Sequence, residues 1–251
     1  MNVKEASVLL AEDEPLLREA MGAWLGRVAG RVFTAENGAE ALRILGAHDM
    51  DLVISDVRMP VMGGVAFLEK LSRSRSRRPA VILLTGFSDL SLREALRLGA
   101  DAMLEKPVDR EVMLRAMRRS LASPGELWRR PRGTPAKTKL RASFASLESA
   151  LEGRETKKVA FGRSGFCLEP VEGLHEGPIE FALDFHADRR RLAGQGAVRW
   201  TAPEEQLAGI EITHLDKEGR SWLLGLLKRY APVAAIPAST EEARARWYRA
   251  A

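Results

Sequence analysis

The sequence predicts an α/β domain on a five-stranded parallel sheet, followed by a small antiparallel β-barrel. Three observations carry that expectation. Five short apolar runs between residues 7 and 107 end in polar or charged residues and alternate with stretches of helical periodicity. That pattern suits a parallel sheet covered on both faces by helices. A basic tract punctuated by Pro and Gly then interrupts the chain near residue 130, and beyond it short alternating strands recur between turn signals.

The elements follow in order. Ser7–Ala11 is an apolar run that closes on Glu12, Asp13 and Glu14. Leu16, Leu17, Ala20, Trp24, Leu25 and Val28 then recur at helical spacing. Arg31–Thr34 reads as a second strand, and Ala39, Leu42 and Leu45 mark a helix. Asp51–Asp56 is a third strand ending in an acid, Ala80–Thr85 a fourth ending in a hydroxyl, and the run from Ala102 to Lys106 a fifth ending in a cation.

Composition narrows the class. The chain has 251 residues, 45% hydrophobic and 29% charged, ordinary values for a globular protein. No run approaches the roughly 18–20 apolar residues of a membrane span, and Met1–Ser7 lacks an apolar signal core, so a cytoplasmic protein is expected. Cys167 is the single cysteine, which excludes an internal disulfide framework and a thiolate metal site. The length suits two small domains.

Residues 1–122 form the first of these and 123–139 a basic linker. Arg129, Arg130, Arg132, Lys137, Lys139 and Arg141 stand against Glu126 alone, which accounts for the whole net charge of +5. Pro124, Gly125, Pro131, Gly133 and Pro135 punctuate the tract, so it reads as a solvated, self-repelling linker. Docking onto an acidic partner or weak, salt-dependent attraction to nucleic acid is the alternative use, but no rigid element carries side chains into a groove, and no specific DNA binding is expected. Leu140, Phe144, Leu147 and Leu151, spaced by 4, 3 and 4, predict a connecting helix over 140–152. Residues 153–232 form the β-barrel domain, closed by an amphipathic helix that opens at Asp216 and carries Trp222, Leu223, Leu226 and Leu227. A last helix is expected over 239–250, with Glu241 and Glu242 in its first turn. His175, His186 and His214 lie on separate elements and Cys167 reads as a core residue, so this half shows no catalytic constellation and no enzyme is expected.

The chemistry gathers at the strand ends, where open α/β sheets bind ligands. Parallel neighbouring strands would bring Glu12, Asp13, Asp56, Thr85 and Lys106 into one crevice. Clustered carboxylates repel unless a cation sits among them, and oxygen ligands suit Mg²⁺. An Asp beside Mg²⁺ and Lys is placed to attack a phosphoryl group.

These residues resemble a known family. Glu12-Asp13-Glu14, the run from Asp56 to Gly64, Leu84-Thr85-Gly86, and Gly99-Ala100-Asp101 leading to Lys106-Pro107 are similar to the receiver domain of two-component response regulators, over about residues 5–122. The resemblance implies a doubly wound fold of strand order 2-1-3-4-5 with Asp56 as phosphoacceptor. It implies that Mg²⁺ is held by Asp13, Asp56 and the Arg58 carbonyl, with Glu12 acting through water. Thr85 would move onto the phosphoryl group, Lys106 would pair with it, and the Lys106–Pro107 step is often cis in the family. A sensor histidine kinase or phosphotransfer protein is the implied donor. Met103 departs from the pattern, standing where the family usually has Tyr or Phe, and lacks a hydroxyl to report the switch.

The stretch from about Lys157 to Tyr230 resembles a PilZ domain, a β-barrel receptor family for cyclic-di-GMP. The resemblance rests on Gly165-Phe166-Cys167-Leu168, on the run from Gly196 to Trp200, and on the run from Gly209 to Asp216. Cyclic-di-GMP binding by the family's usual mode is not expected. The family's Asp/Asn-x-Ser-x-x-Gly turn aligned on Gly165 meets Gly162 and Ala160, and aligned on Ser164 it meets Cys167 and Gly162. Its Arg-x-x-x-Arg segment has only Arg154 with Lys158, or Lys137 with Arg141, and Lys lacks the planar fork that reads guanine. The expected protein is a response regulator, phosphorylated on Asp56, whose degenerate PilZ-like module acts on an unknown protein partner. A cyclic-di-GMP receptor and a phosphorylation-independent scaffold are the alternatives, and monomer and homodimer both stay open.

Overall fold

The computed structural model describes residues 2–73, 78–86, 90, 94–95, 98–130, 136–231, 236 and 249–250. It divides into two compact units, Met1–Ala122 and Ser123–Ala251.

In the first unit, β1 (Ser7–Ala11), β2 (Arg31–Ala35), β3 (Leu52–Asp56), β4 (Ala80–Thr85) and β5 (Ala102–Glu105) form one parallel sheet in the order β2-β1-β3-β4-β5. β3 and β4 are buried along their whole length, as strands covered on both faces must be. Alternate residues sort to opposite faces. Leu9, Val53, Val81 and Leu83 pack with Ala41 and Ile44 of α2 (Gly38–Ala47) and with Phe67, Leu68 and Leu71 of α3 (Gly64–Arg73). Leu10, Leu52, Ile54, Ile82 and Leu84 pack with Leu25 of α1 (Pro15–Val28) and Met113, Met117 and Leu121 of α4 (Arg110–Leu121). The Asn37 and Asp109 side chains accept from the first free N–H groups of α2 and α4, satisfying donors that each helix leaves open. Leu16 departs from the apolar stripe expected of α1, being 76% exposed.

The second unit is built on six strands: β6 (Thr138–Phe144), β7 (Lys158–Phe161), β8 (Gly165–Glu169), β9 (Gly177–Phe185), β10 (Arg190–Ala202) and β11 (Leu207–Leu215), in the order β6-β9-β10-β11-β8-β7. α5 (Leu147–Glu152) follows β6, and α6 (Lys217–Arg229) follows β11. Phe161, Phe166, Phe181, Phe185, Ile210 and Ile212 fill the core with Leu223 and Leu226 of α6. Register shifts in β10 at Gln195/Gly196 and Val198/Trp200 add the local bend that curls the sheet into a half-barrel.

Three expectations for this half need correction, and a fourth falls almost wholly outside the described residues. The sheet is mixed and open: β6 runs parallel to β9, and no pairing among the described residues joins β6 to β7. The connecting helix over 140–152 is a strand followed by a short helix. Leu140 and Phe144, four apart, fit a period of two as well as one of 3.6, and buried Ala142 between them decides for the strand. The linker over 123–139 is part of the fold on both sides of 131–135, which lie outside the described residues. Residues Pro124–Leu127 make a helical turn with a Ser123/Glu126 capping box, and Trp128 is fully buried. Arg129 pairs antiparallel with His214 at the end of β11. The helix over 239–250 lies outside the described residues up to 248, and Arg249–Ala250 are extended, pairing with Tyr230–Ala231.

One cation of the supposed linker, Arg130, is structural, and it shares its partner with Arg199 of β10. Arg130 Nη2 donates to Oε1 of Glu211 at 3.1 Å, and Arg199 Nε donates to Oε2 at 2.6 Å. Glu211 is fully buried on β11. A buried carboxylate is costly without partners, and the two guanidinium groups supply one to each of its oxygens.

Candidate functional site

The register of the first sheet places the strand ends side by side. Ala11 pairs with Ser55, Asp56 with Leu84, and Thr85 with Glu105. Glu12 and Asp13 leave the end of β1, Asp56 and Thr85 close β3 and β4, and Lys106 follows β5. This is the edge at which doubly wound sheets bind ligands.

Carboxylate oxygens of Glu12, Asp13 and Asp56 lie within 4.8 Å of one another. The Lys106 ammonium donates to Glu12 Oε2 at 2.8 Å and to Asp56 Oδ2 at 2.6 Å. Glu12 is 1% exposed and Asp56 7%, so both charges sit where attraction is weakly screened. Burial pushes the Glu12 carboxyl above its usual range, against the pull of the Lys106 hydrogen bond. Burial alone would lower Lys106, but the hydrogen bonds to Asp56 and Glu12 outweigh it and hold the ammonium above its usual range. Three hard oxygen donors crowded together suit a divalent cation such as Mg²⁺.

The remaining expected residues divide. Arg58 donates its N–H to Asp56 Oδ1 at 3.3 Å, fixing the carboxylate from its own loop. The buried Thr85 hydroxyl donates to the Gly86 carbonyl at 2.9 Å, turned to its loop. Lys106–Pro107 is cis. Met103 stands opposite Leu83 and packs, half-buried, against the core on the α2/α3 side.

Arg18 was not singled out by its sequence pattern. Its guanidinium donates to the carbonyls of Glu12 at 2.7 Å and Asp13 at 2.9 Å, clasping the turn that carries two of the three acids. An Arg in the first turns of an amphipathic helix gives no spacing signal for that task. Gly64 is the other. A Cβ there would lie 2.2 Å from the Asp56 carbonyl oxygen, so only glycine lets α3 start against the end of β3.

A profile of the response regulator receiver domain matches residues 8–118. The positive alginate biosynthesis regulatory protein of Pseudomonas aeruginosa is 36% identical over 212 residues, covering 82% of this chain and 75% of that protein. The chain belongs to the response regulator receiver family. Another relative of this response regulator is the transcriptional regulatory protein GlrR of Escherichia coli, 35% identical over 133 residues. That match covers 51% of the chain, which spans only 30% of the length of GlrR. A response regulator receiver domain from Clostridium thermocellum has been solved; it is 30% identical, with a TM-score of 0.43, over 46% of this chain and 94% of that one. The carboxylate cluster and Lys106 both fall within the span matched by the receiver profile.

Proposed function

We propose that Asp56 accepts a phosphoryl group from a sensor histidine kinase or phosphotransfer protein, and that the second unit turns this into contact with a protein partner. The observation that carries the reading is the Asp56 carboxylate held by Lys106 within reach of Glu12 and Asp13. Transfer from a phosphohistidine breaks its N–P bond and forms an O–P bond on Asp56, leaving the donor imidazole neutral. Asp13, Asp56, the Arg58 carbonyl and, through water, Glu12 would hold Mg²⁺, which neutralises charge on the phosphoryl oxygens when bound. Lys106 stabilises the same charge and stays paired with the product. Thr85 turns from the Gly86 carbonyl toward the phosphoryl group.

Supporting the output reading, the second unit is a curled half-barrel with the order of motifs that resembles a PilZ domain. Its cyclic-di-GMP residues are replaced: Ala160 and Gly162 stand where the turn needs Asp/Asn and Ser. We read it as a non-enzymatic, cytoplasmic module. Among the described residues no helix is long and apolar enough to cross a membrane.

Acetyl phosphate with Mg²⁺ is expected to add one phosphoryl mass to the protein, and chelation with EDTA to prevent it. Intact mass spectrometry checks both, and uptake undiminished by EDTA would remove the metal from the reading. Wild type is expected to change its protease sensitivity on phosphorylation, and Lys106→Ala to take up the group, more slowly, without that change. The ammonium that ties the β5 end to Asp56 is gone in that variant. Limited proteolysis beside the mass measurement separates the two effects.

A further inference from the structure

β6 ends the six-stranded order, and no segment among the described residues pairs with its outer side. The opposite end is treated differently, since Val159–Phe161 of β7 are buried and α5 packs on that strand. Exposed edges are ordinarily blunted by short length, charged side chains (Lys above all), Pro or a bulge, and of these β6 carries the charges of Lys139 and Arg141. β6 has seven residues and no Pro, and it pairs with β9 from Thr138 to Phe144 without a shift.

Its chemistry is one-sided. Leu140, Ala142 and Phe144 face the core, while Lys139, Arg141 and Ser143 are exposed. Lys137 precedes them, and no acid lies between residues 137 and 144. Lys139 stands opposite Glu180 on β9, but Arg141 stands opposite Ala182, which is opposite Ala193 on β10. These small side chains help line a cleft of 400 Å³ that Lys139, Arg141 and Arg191 also border, with Glu180 and Asp216 as its acids. Arg191 is paired with Asp184 at 3.7 Å.

We infer that β6 is a docking edge for an extended partner segment with acidic residues at alternate positions, added as a further strand. Directly opposite residues on neighbouring strands have Cβ atoms about 4.5–5.5 Å apart. Acids two residues apart therefore reach Lys139 and Arg141, and the residues between them extend the apolar face beside Leu140 and Ala142. Main-chain hydrogen bonds supply affinity and the alternate side chains specificity. A second copy fits poorly, because antiparallel self-pairing about Leu140 sets Lys139 against Arg141, and like charges directly opposite destabilise. The inference rests on reading the second unit as a protein-binding output.

The test uses the full chain and two blocked heptapeptides of Val and Glu, one strictly alternating, the other with its glutamates contiguous. Fluorescence anisotropy is expected to show the alternating peptide binding at least tenfold more tightly. Lys139→Glu with Arg141→Glu should abolish that binding and create binding of an alternating Val/Lys peptide, which also shows the variant folded. Equal binding of the two peptides, no binding of either, or binding untouched by the double variant would each overturn the inference. A single-stranded oligonucleotide that binds where the peptides do not, and is lost in the double variant, would reassign the edge to nucleic acid. Phosphoryl uptake by Asp56 in the same variant shows whether the receiver reading stands independently of this result.

Discussion

Asp56→Asn is expected to take up no phosphoryl group from acetyl phosphate, while its thermal midpoint stays at or above that of wild type. The amide has nearly the carboxylate's shape but no anionic oxygen to attack phosphorus. Its removal also relieves repulsion among three carboxylates that lie within 4.8 Å of one another. Lys106 keeps its hydrogen bond to Glu12, so the buried Glu12 is not left without its cation. Loss of uptake with the fold intact therefore isolates the chemistry from the scaffold. A phosphoryl adduct on the variant at wild-type yield would place the acceptor elsewhere.

Much of this site was legible because strand ends are written locally. Each of the runs ending at Glu12, Asp56, Thr85 and Lys106 names its own terminal group, and a parallel sheet obliges those ends to meet. What the pattern could not show was where cations turn: Arg18 reaching back six and five residues to two carbonyls, or Arg130 and Arg199 meeting on Glu211. A cation tract reads as solvated until the strand it pairs with is known. The misread at 140–152 has another cause. Spacings of four serve both periods, and Ala142 is too small to weigh in a hydrophobic pattern, although it is buried on β6.

Gly64→Ala is expected to destabilise the first unit by about 3 kcal/mol or more, at or above the upper end of ordinary overpacking. Its Cβ would meet the Asp56 carbonyl oxygen at 2.2 Å and the Asp56 carbonyl carbon at 3.1 Å. These are backbone atoms of a central strand and cannot swing aside as a side chain does. Relief requires α3 to back away from β3, which drags the loop whose Arg58 N–H bonds Asp56. Phosphoryl uptake should fall along with the midpoint. Gly26→Ala is the matched control, an exposed position inside α1 where a Cβ meets nothing within 4 Å. There the same substitution should stabilise by about 0.5–1 kcal/mol, since glycine weakens a helix interior. Urea denaturation of both variants checks the contrast, and a neutral Gly64→Ala would show that the contact is slack.

The strap from Ser123 to Arg130 also determines where this chain can be cut or recombined. A fragment begun at the Pro/Gly tract would discard Trp128, fully buried, and Arg130, one of the two cations on Glu211. It would also strip the Leu215 N–H of its bond to the Trp128 carbonyl at 3.0 Å. The seam that respects both units lies at Ala122 and Ser123, between the end of one helix and the cap of the next turn. Grafting the second unit onto another receiver therefore means carrying its basic strap along, so the residues that look most like disposable spacer travel as cargo of that unit.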